Sequence, residues 1–127
     1  MLDTLFSMSG KVCVVTGGSS GLGSYMAQGF LEAGAERVYI TARSAEKLQA
    51  KAQELSALAA GECIALVGDL ATMSGVEALA SQLAEREQHI DVLVNNAYAG
   101  VDMISRNAGK KFWVEDPINQ WDCINGV

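Results

Sequence analysis

A glycine-rich turn stands between the first strand-like run of the sequence and the first helix-like one. The stretch TGGSSGLG, residues 16–23, follows the apolar run KVCVV and precedes SYMAQGFLEAGA. In such a turn Gly17 lets the chain bend sharply, Gly21 lets a pyrophosphate approach the backbone, and Gly23 allows the helix to pack closely on the strand. Amide N–H groups at the helix start, aided by the helix dipole, can hold the phosphates. The turn therefore predicts a dinucleotide site. The absence of Gly-Lys-Ser/Thr excludes a triphosphate-binding P-loop here.

An arginine twenty residues beyond the turn predicts which dinucleotide is held. Arg43 follows the second strand-like run, where a cofactor with a free ribose 2′-hydroxyl favours Asp or Glu. Ala42 occupies that acidic position, and an arginine suits a ribose 2′-phosphate. Ser19 and the start of the helix after Ser44 could add donors, and Lys47 could add charge. We therefore predict NADP(H) rather than NAD(H). The alternative is that Arg43 and Lys47 are solvated surface residues.

Short apolar runs alternate with segments of helical periodicity along the first three quarters of the chain. This order predicts a parallel sheet with right-handed crossovers. The expected fold class is α/β, a Rossmann-like doubly wound sheet of which the first half is present, with about four strands and three full helices. We expect a single domain over residues 1–127. The predicted strands are residues 11–16, 37–41, 63–67 and 92–95.

Helix signals between these strands predict where the helices begin and which sides are apolar. Ser44 is the expected N-cap of the second helix, which should run to about Ala59. Ser74-Gly75-Val76-Glu77 fits a capping box and opens the third helix, whose residues 85–87 should point outward. Three apolar helix faces are expected, made respectively by Leu22, Met26, Phe30 and Ala33, by Leu48, Leu55 and Leu58, and by Val76, Leu79, Ala80 and Leu83.

Composition limits the class of protein and its partners. The chain has 127 residues, of which 50% are hydrophobic and 19% charged, as in a soluble globular domain. Its net charge of −6 argues against nucleic acid and anionic membranes as partners. The first residues, MLDTLFSMSGK, lack the basic start of a signal peptide, so we expect a cytoplasmic protein. Cys13, Cys63 and Cys123 show no CxxC spacing and are expected to be small buried hydrophobes.

Three signatures in order resemble the short-chain dehydrogenase/reductase family. They are TGGSSGLG at residues 16–23, the pair Asp69-Leu70 after the third strand, and LVNNA at residues 93–97. The resemblance covers about residues 8–127 and implies an NADP(H)-dependent oxidoreductase acting on a small carbonyl or alcohol substrate. Together with the turn and Arg43, it gives the expected cofactor-binding residues, which are Gly17, Ser19, Ser20, Gly21, Leu22, Gly23, Arg43, Ser44, Asp69, Leu70, Asn95, Asn96 and Ala97.

The resemblance also implies roles for the polar residues after the third and fourth strands. Asp69 would accept a hydrogen bond from the adenine amino group, with the backbone of Leu70 nearby. Asn95 would stabilise the central sheet, and Asn96 and Ala97 would line the adenosine side. From the residues alone, Asp69 could equally cap a helix or turn, and the two asparagines could simply form a turn.

Within the family the resemblance has two parts. Up to Leu93 the chain is similar to bacterial 3-oxoacyl-acyl-carrier-protein reductase relatives. From NNAYAGV onward it resembles the subgroup of dehydrogenase/reductase SDR family member 1. Tyr98 replaces the glycine of the usual NNAG, and we hypothesise that it narrows the site beside the nicotinamide ribose.

The catalytic set that the family implies, a serine and Tyr-x-x-x-Lys, has no match in these 127 residues. The residues four positions after the three tyrosines are Gly29, Arg43 and Asp102. The single histidine, His89, reads as a surface residue, and no metal site is expected. We therefore expect no catalytic residue in this chain. It would be the cofactor-binding portion of an oxidoreductase, a catalytically inactive NADP(H)-binding module, or a non-functional truncated fragment.

The predicted end of the sheet carries two further expectations. The fourth strand would form an open edge through which copies of the chain could associate. Residues 98–115 read as a loop, and Asp116-Pro117 is typical of a helix start.

Overall fold

Four parallel strands form the sheet on which the candidate site is built. The computed structural model describes residues 1–98, so the predicted loop beyond Tyr98, the helix start at Asp116-Pro117 and Cys123 lie outside the described residues. The strand order is β3-β2-β1-β4. The elements are α1 (Leu2–Leu5), β1 (Val12–Thr16), α2 (Gly21–Glu32), β2 (Arg37–Ala42), α3 (Ala45–Ser56), β3 (Glu62–Val67), α4 (Met73–Arg86) and β4 (Val92–Val94).

Strand β1 lies inside the sheet and has a parallel neighbour on each side. All five of its residues, VCVVT, are buried, as expected for a strand covered on both faces. Val14 pairs with Tyr39 of β2 on one side and with Leu93 of β4 on the other. The chain therefore crosses over twice in one direction and then returns to the far side of β1, which is the doubly wound arrangement predicted from the sequence.

Side chains alternate between two hydrophobic cores because successive residues of a strand point to opposite faces. On one face Cys13 and Val15 pack with residues of α2 and α3, including Leu31 and Leu48. The other face packs under α4, and its buried members are Val12, Val14, Tyr39, Leu66, Leu79 and Leu83. Helices thus lie on both faces of the sheet, which confirms the predicted fold class.

The buried side of α2 differs from the predicted apolar face. Leu22 is 69% exposed, and the helix buries Gly23, Ala27 and Leu31 instead. The small side chains at positions 23 and 27 allow the start of the helix to lie close to the turn and sheet, while the bulkier Phe30 is only partly buried. The predicted face was therefore displaced by about one residue.

Two helix boundaries also differ from prediction. Helix α3 ends at Ser56 rather than near Ala59, which leaves Leu58 54% exposed. Helix α4 begins earlier than predicted: its N-cap is Thr72, whose Oγ1 accepts a hydrogen bond from the Gly75 N–H at 3.1 Å. The capping box at Ser74 was therefore wrong, because a hydroxyl two residues earlier takes the capping position.

Helix α4 packs through a narrower face than the four residues predicted. Leu79 and Leu83 are buried, whereas Val76 and Ala80 are exposed. Glu87, expected to point outward, is instead the C-cap residue of α4 and has a side chain only 7% exposed.

Strand β4 forms one edge of the described sheet and is one residue shorter than predicted. Pairing of this edge with another copy of the chain stays a prediction. Cys13 and Cys63 are buried as expected, and burial raises the pKa of their thiols to about 11 and about 12 respectively. Within residues 1–98, no helix is long and apolar enough to cross a membrane, and no cluster of potential ligands could hold a metal ion.

Candidate functional site

An open groove of about 920 Å³ runs along the carboxyl ends of the strands. In open parallel sheets this edge is where ligands bind, particularly where the strand order reverses direction. Here the reversal lies at β1, which is flanked by β2 and β4. The groove is lined by residues at or after the carboxyl ends of the four strands, including the first turns of α2 and α3. They are Gly17, Ser19, Ser20, Gly21, Leu22, Thr41, Ala42, Arg43, Ser44, Lys47, Gly68, Asp69, Leu70, Ala71, Asn96, Ala97 and Tyr98.

The glycine turn forms the middle of the groove, and its glycines are required by shape. Gly17 has a φ of +70°, and a Cβ there would lie 3.0 Å from Ala97 Cα. A Cβ on Gly23 would lie 2.3 Å from the Gly17 carbonyl oxygen, so only glycine lets α2 start this close to the turn. Gly21 also has a positive φ, +58°, and faces open space. Gly18, which the sequence analysis did not single out, packs against Ile40, where a Cβ would meet the Ile40 Cβ at 2.5 Å.

Thr16 and Asn96 tie the glycine turn to the end of β4. The Thr16 hydroxyl oxygen accepts hydrogen bonds from the N–H groups of Asn96 and Ala97, both at 3.0 Å. The Asn96 side-chain amide donates to the carbonyl oxygens of Thr16 at 3.1 Å and Gly17 at 3.3 Å. Asn96 thus joins the ends of β1 and β4 at the turn, whereas Asn95, for which the resemblance implies a sheet-stabilising role, is exposed.

Two helices present their first turns to the groove without side-chain caps. Ser20 is the N-cap residue of α2 and Ser44 that of α3, and neither side chain accepts a hydrogen bond from its helix. The first N–H groups of a helix have no partner within it, and a cap, water or a ligand must satisfy them. The starts of α2 and α3 therefore leave donors available where the helix dipole favours an anion.

Positive charge gathers at the end of β2. Arg43 and Lys47 both line the groove beside Ser44, and within residues 1–98 neither forms an ion pair. In a chain of net charge −6, these side chains supply the local attraction that an anionic ligand needs. Ala42 leaves the end of the strand without a carboxylate.

Asp69 and Leu70 form the groove wall beyond β3. The Asp69 Oδ1 accepts a hydrogen bond from the Ala71 N–H at 3.0 Å, which closes a short turn. Asp69 remains exposed, and Leu70 is partly buried against the α4-side core. The turn reading and the ligand reading of Asp69 are thus compatible, because one carboxylate oxygen closes the turn while the side chain still faces the groove.

Most of the residues predicted to bind a cofactor meet at this groove. The two that do not line it are Gly23, which packs behind the turn, and Asn95. Sequence reasoning missed Thr41, Gly68 and Ala71, because small residues at strand ends and in the turns that follow carry no signal of their own. Lys47 and Tyr98, raised only as possibilities, do line the groove.

The opposite, amino-terminal edge of the sheet carries a second polar cluster. The buried Glu87 carboxylate accepts hydrogen bonds from the Arg37 guanidinium and, at 2.7 Å, from the Tyr39 hydroxyl. The Arg37 hydrogen bonds hold the pKa of Glu87 below its ordinary value. Burial, followed by the bond to Glu87, raises the pKa of Tyr39 to about 12. Every strong donor here already has its acceptor, which marks the cluster as structural.

Asp91 joins two elements at the same edge. Its Oδ2 accepts a hydrogen bond from the Val12 N–H at 2.8 Å, and its Oδ1 lies 3.5 Å from the Lys11 Nζ. The Val12 bond is the main cause of the lowered pKa of Asp91. His89, an exposed residue as predicted, lies 3.7 Å from the same carboxylate.

Comparison with known families shows which protein family the chain belongs to. The family model described as short chain dehydrogenase matches residues 11–121. The chain belongs to the short-chain dehydrogenase family. The match takes in the glycine turn, the Asp69 turn and the end of β4, the three places from which the groove is built.

Two curated short-chain dehydrogenase relatives correspond to the two parts of the resemblance. Human dehydrogenase/reductase SDR family member 1 is 46% identical over 121 residues, which are 94% of this chain and 38% of that protein. The rhamnolipids biosynthesis 3-oxoacyl-[acyl-carrier-protein] reductase of Pseudomonas aeruginosa is 49% identical over 92 residues, 72% of this chain and 35% of that protein. The chain thus spans little more than a third of the length of these relatives.

Solved short-chain dehydrogenase structures share the fold. The NADP active-site complex of Pseudomonas aeruginosa RhlG has a TM-score of 0.70 at 44% identity, over 80% of this chain and 40% of that one. L-sorbose reductase from Gluconobacter frateurii, complexed with NADPH and L-sorbose, has a TM-score of 0.74 at 31% identity, over 91% and 41%. In both cases the matched region is about two fifths of the solved chain.

Proposed function

We propose that this chain is the NADP(H)-binding portion of a short-chain oxidoreductase that interconverts a carbonyl and an alcohol on a small-molecule substrate. The observation that carries the proposal is the joining, in one groove, of the glycine turn after β1 and two cations after β2 that form no ion pair within residues 1–98. The NADP and NADPH complexes of RhlG and L-sorbose reductase, relatives with the same fold, support the choice of cofactor.

The pyrophosphate would lie over the glycine turn. Gly21 faces open space, so the backbone can approach a phosphate without hindrance from a side chain. The first turn of α2 has no side-chain cap, and its N–H groups would donate to phosphate oxygens. Ser19 and Ser20 line the same part of the groove and would add hydroxyl donors.

The ribose 2′-phosphate would lie at the end of β2. Arg43 offers a planar set of N–H donors, which suits a phosphate better than a single ammonium does. Ser44 and the uncapped start of α3 add neutral donors, and Lys47 adds a second charge at the rim. Ala42 stands where a 2′-hydroxyl would need a carboxylate, so the donor set fits NADP(H) and disfavours NAD(H).

The adenine would lie between the β3 and β4 ends of the groove. Asp69 would accept from the adenine amino group, while the Leu70 backbone, Asn96 and Ala97 would line the adenosine. Tyr98 is 62% exposed at the same rim and would limit the space toward the nicotinamide ribose. When bound, the nicotinamide supplies or accepts the hydride, and the residues of this chain hold and orient it.

A non-catalytic NADP(H)-binding module is the second candidate, and the position of Tyr39 supports it. The Tyr39 hydroxyl lies at the opposite edge of the sheet, donates to Glu87 and has a pKa raised to about 12. A proton donor for a carbonyl needs a lowered pKa and a place in the groove, and Tyr39 has neither. Turnover of NADPH by the 127-residue chain with a panel of carbonyl compounds would contradict this second candidate.

The test of the cofactor assignment is a titration of the purified chain with NADPH and with NADH. We expect tighter binding of NADPH, and we expect Arg43→Ser to weaken it by about 10- to 100-fold, the value of one or two hydrogen bonds to a charged group. NADH affinity should change little, because NADH lacks the phosphate that Arg43 would contact.

Arg86→Ser is the matched control, since Arg86 is an exposed cation on α4 whose guanidinium, within the part of the chain that the structure describes, donates to the Gln82 carbonyl oxygen alone. It removes the same charge from a different part of the chain. Equal affinity for the two dinucleotides, or an equal effect of both substitutions, would overturn the assignment of Arg43.

A further inference from the structure

We propose that Gly75 is a positioning residue for the adenine end of the groove, because its missing side chain lets α4 fix the peptide of Asp69. The inference rests on the proposed function, in which Asp69 accepts from the adenine amino group. It adds a residue of α4 that does not line the groove.

The backbone carbonyl of Asp69 packs directly against Gly75 in the first turn of α4. A Cβ on Gly75 would lie 1.7 Å from the Asp69 carbonyl oxygen and 2.8 Å from its carbonyl carbon. Real Cβ contacts essentially never fall under 3.0 Å, so the oxygen would have to move by about 1.3 Å. The Asp69 peptide therefore occupies the position that any other side chain at residue 75 would take.

Two hydrogen bonds hold the same turn in place. The Asp69 Oδ1 accepts from the Ala71 N–H at 3.0 Å, and the Thr72 Oγ1 accepts from the Gly75 N–H at 3.1 Å. The first bond holds one carboxylate oxygen of Asp69 in the turn. The direction in which the other carboxylate oxygen points therefore depends on the position of the turn. A shift of the Asp69 carbonyl by more than an ångström would tilt the carboxylate away from a ligand, because a hydrogen bond tolerates only a few tenths of an ångström.

Gly29 provides a matched control for the same substitution. It lies in α2, and a Cβ there would meet no atom within 4 Å. Gly29→Ala should therefore leave the groove intact and favour the helix, since alanine has the higher helix propensity. Any effect shared by Gly75→Ala and Gly29→Ala would come from the higher helix propensity of alanine and not from displacement of the Asp69 turn.

The experiment compares NADPH with reduced nicotinamide hypoxanthine dinucleotide phosphate, which has an oxygen in place of the adenine amino group. The unsubstituted chain should bind NADPH about 10-fold more tightly, the value of a hydrogen bond to a charged acceptor. Gly75→Ala should bring this ratio close to one, and Gly29→Ala should keep it. A folded Gly75→Ala chain that keeps the ratio would overturn the inference.

A readout without ligand separates this inference from the proposed function. The amide resonance of Ala71 reports its bond to Asp69, and it should shift in Gly75→Ala but not in Gly29→Ala. If the unsubstituted chain binds neither dinucleotide, the proposed function fails. The Ala71 resonance alone then tests whether Gly75 positions the Asp69 turn. An unchanged Ala71 resonance would overturn the positioning role.

Thr72→Ala is the second variant, to be used if Gly75→Ala does not fold. It removes the hydroxyl that accepts from the Gly75 N–H, and the control Thr4→Ala removes an exposed hydroxyl of α1. We expect Thr72→Ala to lower the NADPH-to-hypoxanthine ratio and Thr4→Ala to leave it unchanged. Equal ratios in both variants would count against the inference.

Discussion

The two edges of the sheet use charged residues in opposite ways. At the amino-terminal edge Arg37 is paired with Glu87, and Asp91 accepts from the Val12 backbone. At the carboxyl-terminal edge Arg43 and Lys47 face the groove and, within residues 1–98, form no ion pair. The first arrangement joins distant parts of the chain, whereas the second leaves charge available for a ligand.

The starts of α2, α3 and α4 all lie at the carboxyl-terminal edge, and they differ in how their first turns are capped. In α4 the Thr72 hydroxyl accepts from the Gly75 N–H of the first turn, whereas α2 and α3 lack a side-chain cap where they face the groove. A missing cap costs a helix about 1 kcal/mol of stability. The starts of α2 and α3 thus give up local stability for available donors, as expected of a binding site.

The largest effect on stability is expected from Glu87→Ala at the amino-terminal edge. The substitution leaves the Tyr39 hydroxyl without its acceptor, and Tyr39 is only 1% exposed. An unsatisfied buried polar group costs about 1–3 kcal/mol, so the free energy of unfolding should fall by this amount. Chemical denaturation of the variant would measure the change.

Glu85→Ala tests whether this effect belongs to the cluster. Glu85 is an exposed carboxylate on the same helix, and we expect its removal to change the free energy of unfolding by less than about 0.5 kcal/mol. NADPH affinity should be nearly the same in both variants while they remain folded. A loss of affinity in Glu87→Ala without a loss of stability would break the contrast between the two edges.

A smaller effect is expected from acidification. Glu87 and Asp91 have pKa values lowered from the ordinary 4.5 and 3.8, chiefly by the bonds from Arg37 and Val12. As the pH falls, the unfolded chain therefore binds these protons before the folded chain does. The stabilisation is fully present well above these ordinary values, and it is lost as the pH falls through the lowered values.

Glu87→Gln provides the comparison for this pH dependence, because it cannot take up the proton. Denaturation midpoints between neutral pH and pH of about 3 should fall less steeply for this variant than for the unsubstituted chain. Parallel curves would mean that Glu87 contributes nothing to the acid sensitivity.

The features predictable from sequence were those set by neighbouring residues. The glycine turn could be recognised because Gly17, Gly21 and Gly23 follow a strand and precede a helix at a fixed spacing. Arg43 was predicted to lie in the groove because its position follows directly from the end of β2. The alternation of apolar strands with helices was enough to predict the doubly wound sheet.

The rest depended on contacts between distant parts of the chain. Glu87 ends a helix whose preceding residues face solvent, and only the fold brings it to Arg37 and Tyr39, about fifty residues earlier. The sequence around Gly75 predicted only a capping box, and only the structure shows that the Asp69 carbonyl packs against this glycine. Helical spacing likewise placed Leu22 on the predicted buried face of α2. It did not show that the smaller Gly23 and Ala27 would be buried instead.

Mapping NADPH binding by amide chemical shifts tests the contrast between the two edges most directly. During a titration of the chain, we expect the largest changes at residues 17–22, at Arg43 and at residues 69–71, on the carboxyl-terminal edge. The amides of Arg37, Glu87 and Asp91 should be nearly unaffected. Largest changes at the amino-terminal edge, or no change at the glycine turn under saturating NADPH, would contradict the account.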